Sequence, residues 1–326
     1  MTAPIVHAGV GDFFDAVGDF FDSLGDISWG ALVIGLTSFV VYLTLRSRAY
    51  FHIIRAAYPT ERIEWRRIWG AYIAAYGFNN VVPARGGDLI RLFLTKNSVP
   101  NSSYPAVASS FAVELIFDAT MAVFILTFAF SQGVFPKPPD FSDLQAFDLS
   151  WLAGHPRFTL FLLTFLAVAA LAAFALLSVR VQAFWARVKQ GVTILQDRRR
   201  YFREVWLVQF SGWIFRFTAF WFLLEAFGVG GSVRNVLLVL GVNAVAALVP
   251  FTPGGAGVQQ ALLVKVFAGA AAGATVAAYS VGQQIAIGAT TLGVGFVALV
   301  TIFRIRSFKE VIRAGRDERA AEAAVR

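Results

Sequence analysis

The sequence predicts an all-α, polytopic membrane protein, a helical bundle built as an inverted repeat around two re-entrant hairpins of broken helix. Of its 326 residues, 57% are hydrophobic and only 15% are charged, with a mean hydropathy of +0.65. Soluble domains carry about 25% charged residues. Several stretches are long enough to span a bilayer. Two further apolar stretches, at corresponding places in the two halves, are interrupted by proline and a glycine pair, a pattern typical of transporter binding sites.

Complete crossings are predicted from the length of the apolar stretches, because a helix needs about 20 apolar residues to span a membrane. Five stretches meet this requirement, although the first is barely long enough and the second is long enough to tilt. They cover residues 29–45, 104–131, 157–179, 204–228 and 278–303.

The two broken stretches cover residues 68–98 and 235–270. Aligned on Gly86-Gly87 and Gly254-Gly255, each has an asparagine upstream, one or two prolines, the glycine pair, an apolar arm and a lysine. This correspondence predicts two repeat halves, at about residues 29–131 and 157–303.

Each broken stretch is interpreted as a re-entrant hairpin. The arms before Pro83 and Pro253 have about 15 residues or fewer, which is too short to cross. Backbone exposed at such a break has to be buried in protein or line a water-filled cavity. An alternative stays open, in which one or both hairpins cross fully and are joined by a loop.

The distribution of lysine and arginine predicts the orientation, since cytoplasmic segments are enriched in both. The first 45 residues contain neither, residues 46–67 carry six arginines, and residues 132–156 carry one lysine against three aspartates. Residues 180–203 carry seven basic side chains. We therefore expect a protein of the cell membrane with its N-terminus outside and its C-terminus in the cytoplasm. The first hairpin then enters from the cytoplasm and the second from outside.

Two further segments flank the membrane domain of residues 29–303. Residues 1–28 repeat the motif GDFFD with phenylalanines at helical spacing, which predicts an acidic amphipathic helix on the outer interface. An alternative is that this helix caps the outer mouth or packs on a neighbour. Residues 304–326 form a basic cytoplasmic tail, which we expect to be attracted to anionic lipid headgroups.

Charged side chains inside the apolar stretches are the candidate functional residues, because at membrane depth such groups usually face a cavity or one another. These residues are Arg85, Asp88, Arg91, Glu114, Asp118 and Arg216. Glu114 and Asp118 are four residues apart and share one helix face, so they need cationic partners. Arg85, Arg91 and Arg216 are available for this. The groups either serve a ligand or only neutralise one another and hold the bundle together.

Arg85 is the strongest candidate for a ligand contact. It lies at the break, beside Gly86 and Gly87, ahead of a new helix start. A guanidinium next to a helix N-terminus binds anionic oxygens, above all phosphate. Arg91 is expected to contact the same anion or a carboxylate, or else to lie at the cytoplasmic surface. Asn79 completes the candidate set of the first hairpin.

The polar groups of the second hairpin are uncharged as far as Lys265. They are Asn243, Thr252, Gln259 and Gln260, followed by Gln283 and Gln284 on the next segment. Such groups suit a polar headgroup or a water-filled path, and equally suit helix-to-helix hydrogen bonds. Pro253, Gly254, Gly255 and Gln260 are the candidate binding residues here.

These motifs resemble those of the flippase-like integral membrane family of the lysylphosphatidylglycerol synthase transmembrane region. Its first signature resembles P-x-R-x-G-E-x-x-R, matched here from Pro83 to Arg91 with Asp88 in place of Glu. A second resembles E-R-x-x-D, matched by Glu114 and Asp118 with Leu115 in place of Arg. The third resembles P-G-G-x-G-v-x-E, matched from Pro253 with Gln260 in place of Glu.

The resemblance implies a protein that handles or moves lipids, such as aminoacylated phosphatidylglycerol or polyprenyl-linked sugars. Some members of the family append a soluble aminoacyl-transfer domain. Here a short basic tail follows the membrane region, so we expect that activity to be absent and the protein not to be an enzyme. Glutamine at Gln260 removes a titratable group that the family usually has.

The predicted function is translocation of an anionic phospholipid or lipid-linked intermediate between leaflets. The alternatives are a lipid-binding membrane scaffold and a membrane enzyme acting on a lipid-linked sugar or phosphate. No cofactor or metal is expected, because the chain has no cysteine, its three histidines are far apart and no P-loop motif is present. The expected partners are membrane lipids with anionic headgroups and no nucleic acid, and a homo-oligomer stays open.

Overall fold

The computed structural model describes residues 27–80, 86–132, 184–246, 258–267 and 273–304, and the regular structure in these ranges is helical. The predicted acidic N-terminal helix, the predicted crossing at 157–179 and the basic tail lie outside the described residues. So do the tips of both predicted hairpins.

The described helices are numbered here in chain order. They are α1 (Trp29–Ala57), α2 (Trp65–Asn79), α3 (Gly86–Ser98), α4 (Tyr104–Ser131), α5 (residues 184–191), α6 (Arg198–Ala226), α7 (Val233–Ala246), α8 (Val258–Val266) and α9 (Gly273–Ile302). A short 3-10 turn, Thr193–Gln196, leads into α6, and α6 contains one π-helical turn at Phe202–Trp206.

Within the described part of the chain, four helices are long and apolar enough to cross a membrane, namely α1, α4, α6 and α9. The prediction of an all-α, polytopic membrane bundle is therefore confirmed. The first predicted crossing, residues 29–45, is the first part of a longer helix, since α1 continues to Ala57. The helix continues because Tyr50, Ile53 and Ile54 bury an apolar face beyond the arginines that interrupt the run.

The arms of both broken stretches are short. They contain 15 residues in α2, 13 in α3, 14 in α7 and 9 in α8. At 1.5 Å per residue the longest reaches about 22 Å, less than the roughly 30 Å of a hydrocarbon core. The two arms of each stretch lie against each other. Re-entrant entry from opposite sides stays a prediction.

Small residues bring the helices into close contact, as is typical of packing in membranes. α1 packs along α6, and α9 packs on α2. A Cβ added to Gly35 of α1 would lie 3.2 Å from the carbonyl oxygen of Ala219 in α6. One added to Gly77 of α2 would lie 2.7 Å from the carbonyl oxygen of Thr291 in α9. The last described helix thus lies directly on the first broken stretch.

Candidate functional site

The candidate site is organised around the middle of α4. Asp118 lies halfway along this helix, about 20 Å from either end. Glu114 precedes it by one turn, on the same face. Since α4 is long enough to cross the membrane, both carboxylates lie at membrane depth, where an isolated charge is costly.

Glu114 is paired with Arg91 of α3. A terminal nitrogen of Arg91 lies 2.5 Å from the Oε2 atom of Glu114. Only 8% of Arg91 and 3% of Glu114 is exposed, so this ion pair is buried. The expectation of a surface position for Arg91 is therefore wrong, because α3 turns this side chain inward onto α4.

Three aromatic rings enclose the Arg91 guanidinium. Its central carbon lies 3.8 Å from the ring centre of Tyr50, 4.2 Å from that of Tyr72 and 4.3 Å from that of Phe111. Ring faces attract a cation but carry no net charge. Glu114 thus supplies the neutralising charge. Its Oε1 atom and the Nε atom of Arg91 are buried and have no hydrogen-bond partner among the described residues.

Asp118 is paired with Arg46 of α1, a partner that the sequence analysis missed. The two guanidinium nitrogens lie 2.6 and 2.8 Å from the two carboxylate oxygens, so the contact is bidentate. The Nε atom of Arg46 donates to the hydroxyl of Tyr72 at 2.9 Å. Tyr72 therefore joins the two ion pairs, with its ring against Arg91 and its hydroxyl on Arg46.

A signal for Arg46 was present in the sequence. Tyr42, Arg46 and Tyr50 recur at a spacing of four residues, which places them on one helix face. The predicted first crossing ends at residue 45, so Arg46 was assigned to the basic cytoplasmic segment and not to this helix face.

Arg216 of α6 lies next to these pairs, across Tyr42. Its guanidinium carbon is 4.8 Å from the Trp213 ring, 5.6 Å from the Tyr42 ring and 5.9 Å from the Phe220 ring. Arg46 contacts the hydroxyl of the same Tyr42 at 3.5 Å. No carboxylate of the described ranges pairs with Arg216. The described cluster therefore holds three guanidinium groups against two carboxylates.

The start of α3 is held by Asn79, the last residue of α2. The amide of Gly87 donates to the Oδ1 atom of Asn79 at 2.8 Å, and the Nδ2 atom of Asn79 donates to Asp88 at 3.1 Å. A side chain at Gly87 would overlap with the carbonyl oxygen of Ala75, so glycine is needed for this close approach. The Gly87 amide, which was expected to face an anion, is therefore occupied by Asn79.

The second broken stretch has a similar connection between its arms. Gln259 of α8 donates to the Oδ1 atom of Asn243 in α7 at 2.8 Å, and Gln260 donates to Gln284 of α9 at 2.5 Å. In both stretches an asparagine of the first arm thus binds a polar side chain of the second arm. These uncharged groups form helix-to-helix hydrogen bonds, one of the two roles expected of them.

Comparison with known protein families identifies the chain. A family model described as the lysylphosphatidylglycerol synthase transmembrane region matches residues 13–295. The chain belongs to this family. It is thereby a multi-pass membrane protein related to lipid handling. Neither a curated protein nor a solved structure matches it.

Two signatures of the lysylphosphatidylglycerol synthase family meet in space in this chain. Arg91 closes the first signature and Glu114 opens the second, and the two form the buried ion pair. Arg85, Pro83, Pro253, Gly254 and Gly255 lie outside the described residues.

A metal centre is not indicated in the part of the chain that the structure describes. No group of three histidine, aspartate or glutamate side chains there could hold an ion.

Proposed function

We propose that this protein translocates an anionic phospholipid or lipid-linked phosphate between the leaflets of the cell membrane. The observation that carries the proposal is the charge of the cluster at membrane depth. Arg46 and Arg91 are each matched by a carboxylate, whereas Arg216 contacts aromatic rings alone among the described residues.

A singly charged phosphodiester fits this cluster because it supplies the missing negative charge. An unpaired guanidinium at membrane depth is costly, and a phosphate oxygen pairs with it through strong hydrogen bonds. Arg216 is half-buried, so one side of it is accessible. The headgroup would then lie beside Arg216 at the middle of the bundle, while the acyl chains stay in the bilayer.

The first broken stretch is the proposed path of the headgroup from the cytoplasmic side. Arg91 and Glu114 join α3 to α4, and Asn79 joins α3 to α2, so α3 is held by polar contacts on both sides. Under the predicted orientation, with the N-terminus outside, this stretch opens to the cytoplasm and the second opens to the outside. Arg85, at the tip between α2 and α3, would contact the headgroup deep in the membrane.

Lipid exchange in liposomes tests the proposal. Purified protein is reconstituted with fluorescent phosphatidylglycerol or phosphatidylcholine, and a membrane-impermeant reductant then measures how much label reaches the outer leaflet. We expect exchange that favours phosphatidylglycerol and that falls at least tenfold in Arg216→Gln and in Arg85→Ala. Arg199→Gln, which removes an exposed arginine at the start of α6, is the matched control and should exchange as wild type does.

The lipid-binding scaffold is the second candidate, and the closed state of both ion pairs favours it. A scaffold would retain phosphatidylglycerol through purification without exchanging either lipid. Exchange at equal rates in wild type and Arg216→Gln would show that the charge of Arg216 does not bind the headgroup during exchange. We propose no enzymatic activity, because each carboxylate of the cluster is bound by an arginine and is thus not free to act as a base.

A further inference from the structure

An apolar groove of about 400 Å³ lies between α2 and α9. Ala289, Gly293, Val297 and Thr301 follow one another every four residues along α9, and Trp69 of α2 forms the facing wall. The groove therefore runs along one face of a membrane-crossing helix.

The lining of this groove offers few hydrogen-bonding groups. Thr301 donates its hydroxyl to the carbonyl oxygen of Val297 in its own helix at 2.7 Å. The indole N–H of Trp69 donates away from the groove, to the hydroxyl of Thr44 in α1 at 3.0 Å, which also fixes the ring. A hydrocarbon chain suits such a surface.

Packing among the described residues does not require a glycine at Gly293. An added side chain at Gly77 or Gly295 would meet backbone atoms of the facing helix within 3 Å. At Gly293 nothing lies within 4 Å of the position that a Cβ would take. The missing side chain instead leaves the middle of the groove open.

Arginines flank one end of the groove. Arg66 and Arg67 occupy the first turn of α2, and Arg304 follows α9, all three exposed. The two helix ends are adjacent, since a Cβ at Gly70 would lie 3.0 Å from the Cδ1 atom of Ile302. One exposed carboxylate, Glu64, precedes α2, so the basic charge prevails there.

We propose that this groove and its arginines form a binding site for one anionic phospholipid, distinct from the ion-pair cluster. An acyl chain lies along Ala289, Gly293 and Val297, and the phosphate lies against Arg66, Arg67 and Arg304. Basic residues at a membrane surface attract anionic headgroups. The apolar groove is continuous with lipid-facing residues such as Phe296, of which 57% is exposed.

The charge at the end of the groove favours a lipid over a helix of a second copy. Arg66, Arg67 and Arg304 complement a phosphate, whereas a second copy of this chain is itself basic, with a net charge of +8.

Native mass spectrometry of the protein released from lipid nanodiscs tests this site. The discs contain equal amounts of phosphatidylglycerol and phosphatidylcholine, and the spectrum gives both retained lipid and oligomeric state. Gly293→Leu puts a side chain into the groove, and its Cβ has no described atom within 4 Å. We expect it to lower retained phosphatidylglycerol several-fold. Gly30→Leu is the matched control, because Gly30 of α1 also has nothing within 4 Å of its Cβ position, and it should retain lipid as wild type does.

The headgroup end is tested by replacing Arg66, Arg67 and Arg304 together with glutamine. This variant should lose the preference for phosphatidylglycerol over phosphatidylcholine. Wild-type retention in Gly293→Leu would overturn the proposal, and so would loss of a dimer in that variant, which would assign the groove to a second copy. Lipid exchange tests the translocation proposal, and lipid retention tests the groove. A variant such as Arg216→Gln that loses exchange but retains phosphatidylglycerol would therefore support the groove site independently of the translocation result.

Discussion

At the scale of single residues, the Arg91–Glu114 pair is asymmetric. A guanidinium keeps its charge in proteins, whereas a carboxylate can take up a proton and become neutral. Glu114→Gln therefore leaves a buried cation among three rings, while Arg91→Gln leaves a group that can lose its charge. We expect Glu114→Gln to lower the free energy of unfolding by about 3–5 kcal/mol, the range for breaking a buried ion pair. Arg91→Gln should cost clearly less.

Unfolding in detergent, followed by tryptophan fluorescence, measures both variants. Arg67→Gln is the control, since this exposed arginine has no part in the cluster. Equal losses in the two variants, or a greater loss in Arg91→Gln, would contradict the asymmetry.

Tyr72 offers a second test at this scale, because its hydroxyl and its ring have different partners. Tyr72→Phe removes the acceptor for the Nε atom of Arg46 and keeps the ring against Arg91. We expect a loss of about 1–2 kcal/mol, as for polar contacts between membrane helices. Tyr50→Phe is the matched control, because its hydroxyl accepts a hydrogen bond from the neutral Ser110 and should matter less. Equal effects would mean that the link between the ion pairs adds no stability.

The sequence predicted part of this cluster. The four-residue spacing showed that Glu114 and Asp118 share a face and need cations, and the structure pairs Glu114 with Arg91, one of the three candidates. Asp118 instead pairs with Arg46. Which arginine meets which carboxylate depends on how α1 and α3 pack on α4, and spacing along one helix contains no information about that.

At the scale of helices, the contact between α2 and α3 depends on Gly87. An alanine there would overlap with the carbonyl oxygen of Ala75 and lie 2.7 Å from the Oδ1 atom of Asn79. α3 would have to move away, which breaks the bonds of Asn79 to Gly87 and Asp88. We expect Gly87→Ala to lower stability by about 1–3 kcal/mol, as overpacking does.

The matched control is Gly30→Ala, since nothing lies within 4 Å of its Cβ position. Alanine favours helix over glycine by about 1 kcal/mol, so Gly30→Ala should be neutral or stabilising. Thermal unfolding in detergent compares the two variants. A Gly87→Ala protein as stable as wild type would show that α2 and α3 do not pack as closely as described.

Helix positions were predicted best where an apolar run is long and uninterrupted. The predicted crossing at 104–131 agrees with α4, Tyr104–Ser131, and that at 278–303 is close to α9, Gly273–Ile302. The predicted first crossing ended before Arg46, because an arginine lowers the mean hydropathy whether or not it is paired. In the structure α1 continues as a helix through Arg46. An arginine paired with a carboxylate can lie within an apolar helix, and the carboxylate here, Asp118, is 72 residues away in the sequence.

At the scale of the whole molecule, the two broken stretches are alike in how their arms are joined but differ in charge. The first has an ion pair to α4 and an asparagine bond, whereas the second has amide bonds to α7 and α9. α9 of the second half packs on α2 of the first. Since α9 also bonds to α8 through Gln284 and Gln260, this helix contacts both broken stretches.

The inverted repeat requires that the two broken stretches enter the membrane from opposite sides, the first from the cytoplasm and the second from outside. The chain has no cysteine, so single introduced cysteines report accessibility without background. Ala84→Cys and Ala256→Cys lie at the two tips, and a membrane-impermeant thiol reagent is applied to whole cells and to inverted vesicles. We expect Ala84→Cys to react from the cytoplasmic side and Ala256→Cys from outside, because the water-filled path to each tip opens on the side from which its stretch enters. Pro100→Cys and Val233→Cys are the controls for the cytoplasmic and outer sides.

Each pattern of labelling separates one topology from another. If α2 and α3 crossed fully, Ala84 would lie in an outer loop and would react from outside while Pro100→Cys stayed cytoplasmic. If both tips reacted from the same side, the two stretches would enter in parallel and the inverted repeat would be wrong. Since each arm reaches at most about 22 Å, a tip at the far surface would require the roughly 30 Å hydrocarbon core to thin around it. We therefore expect neither tip to react from the far side.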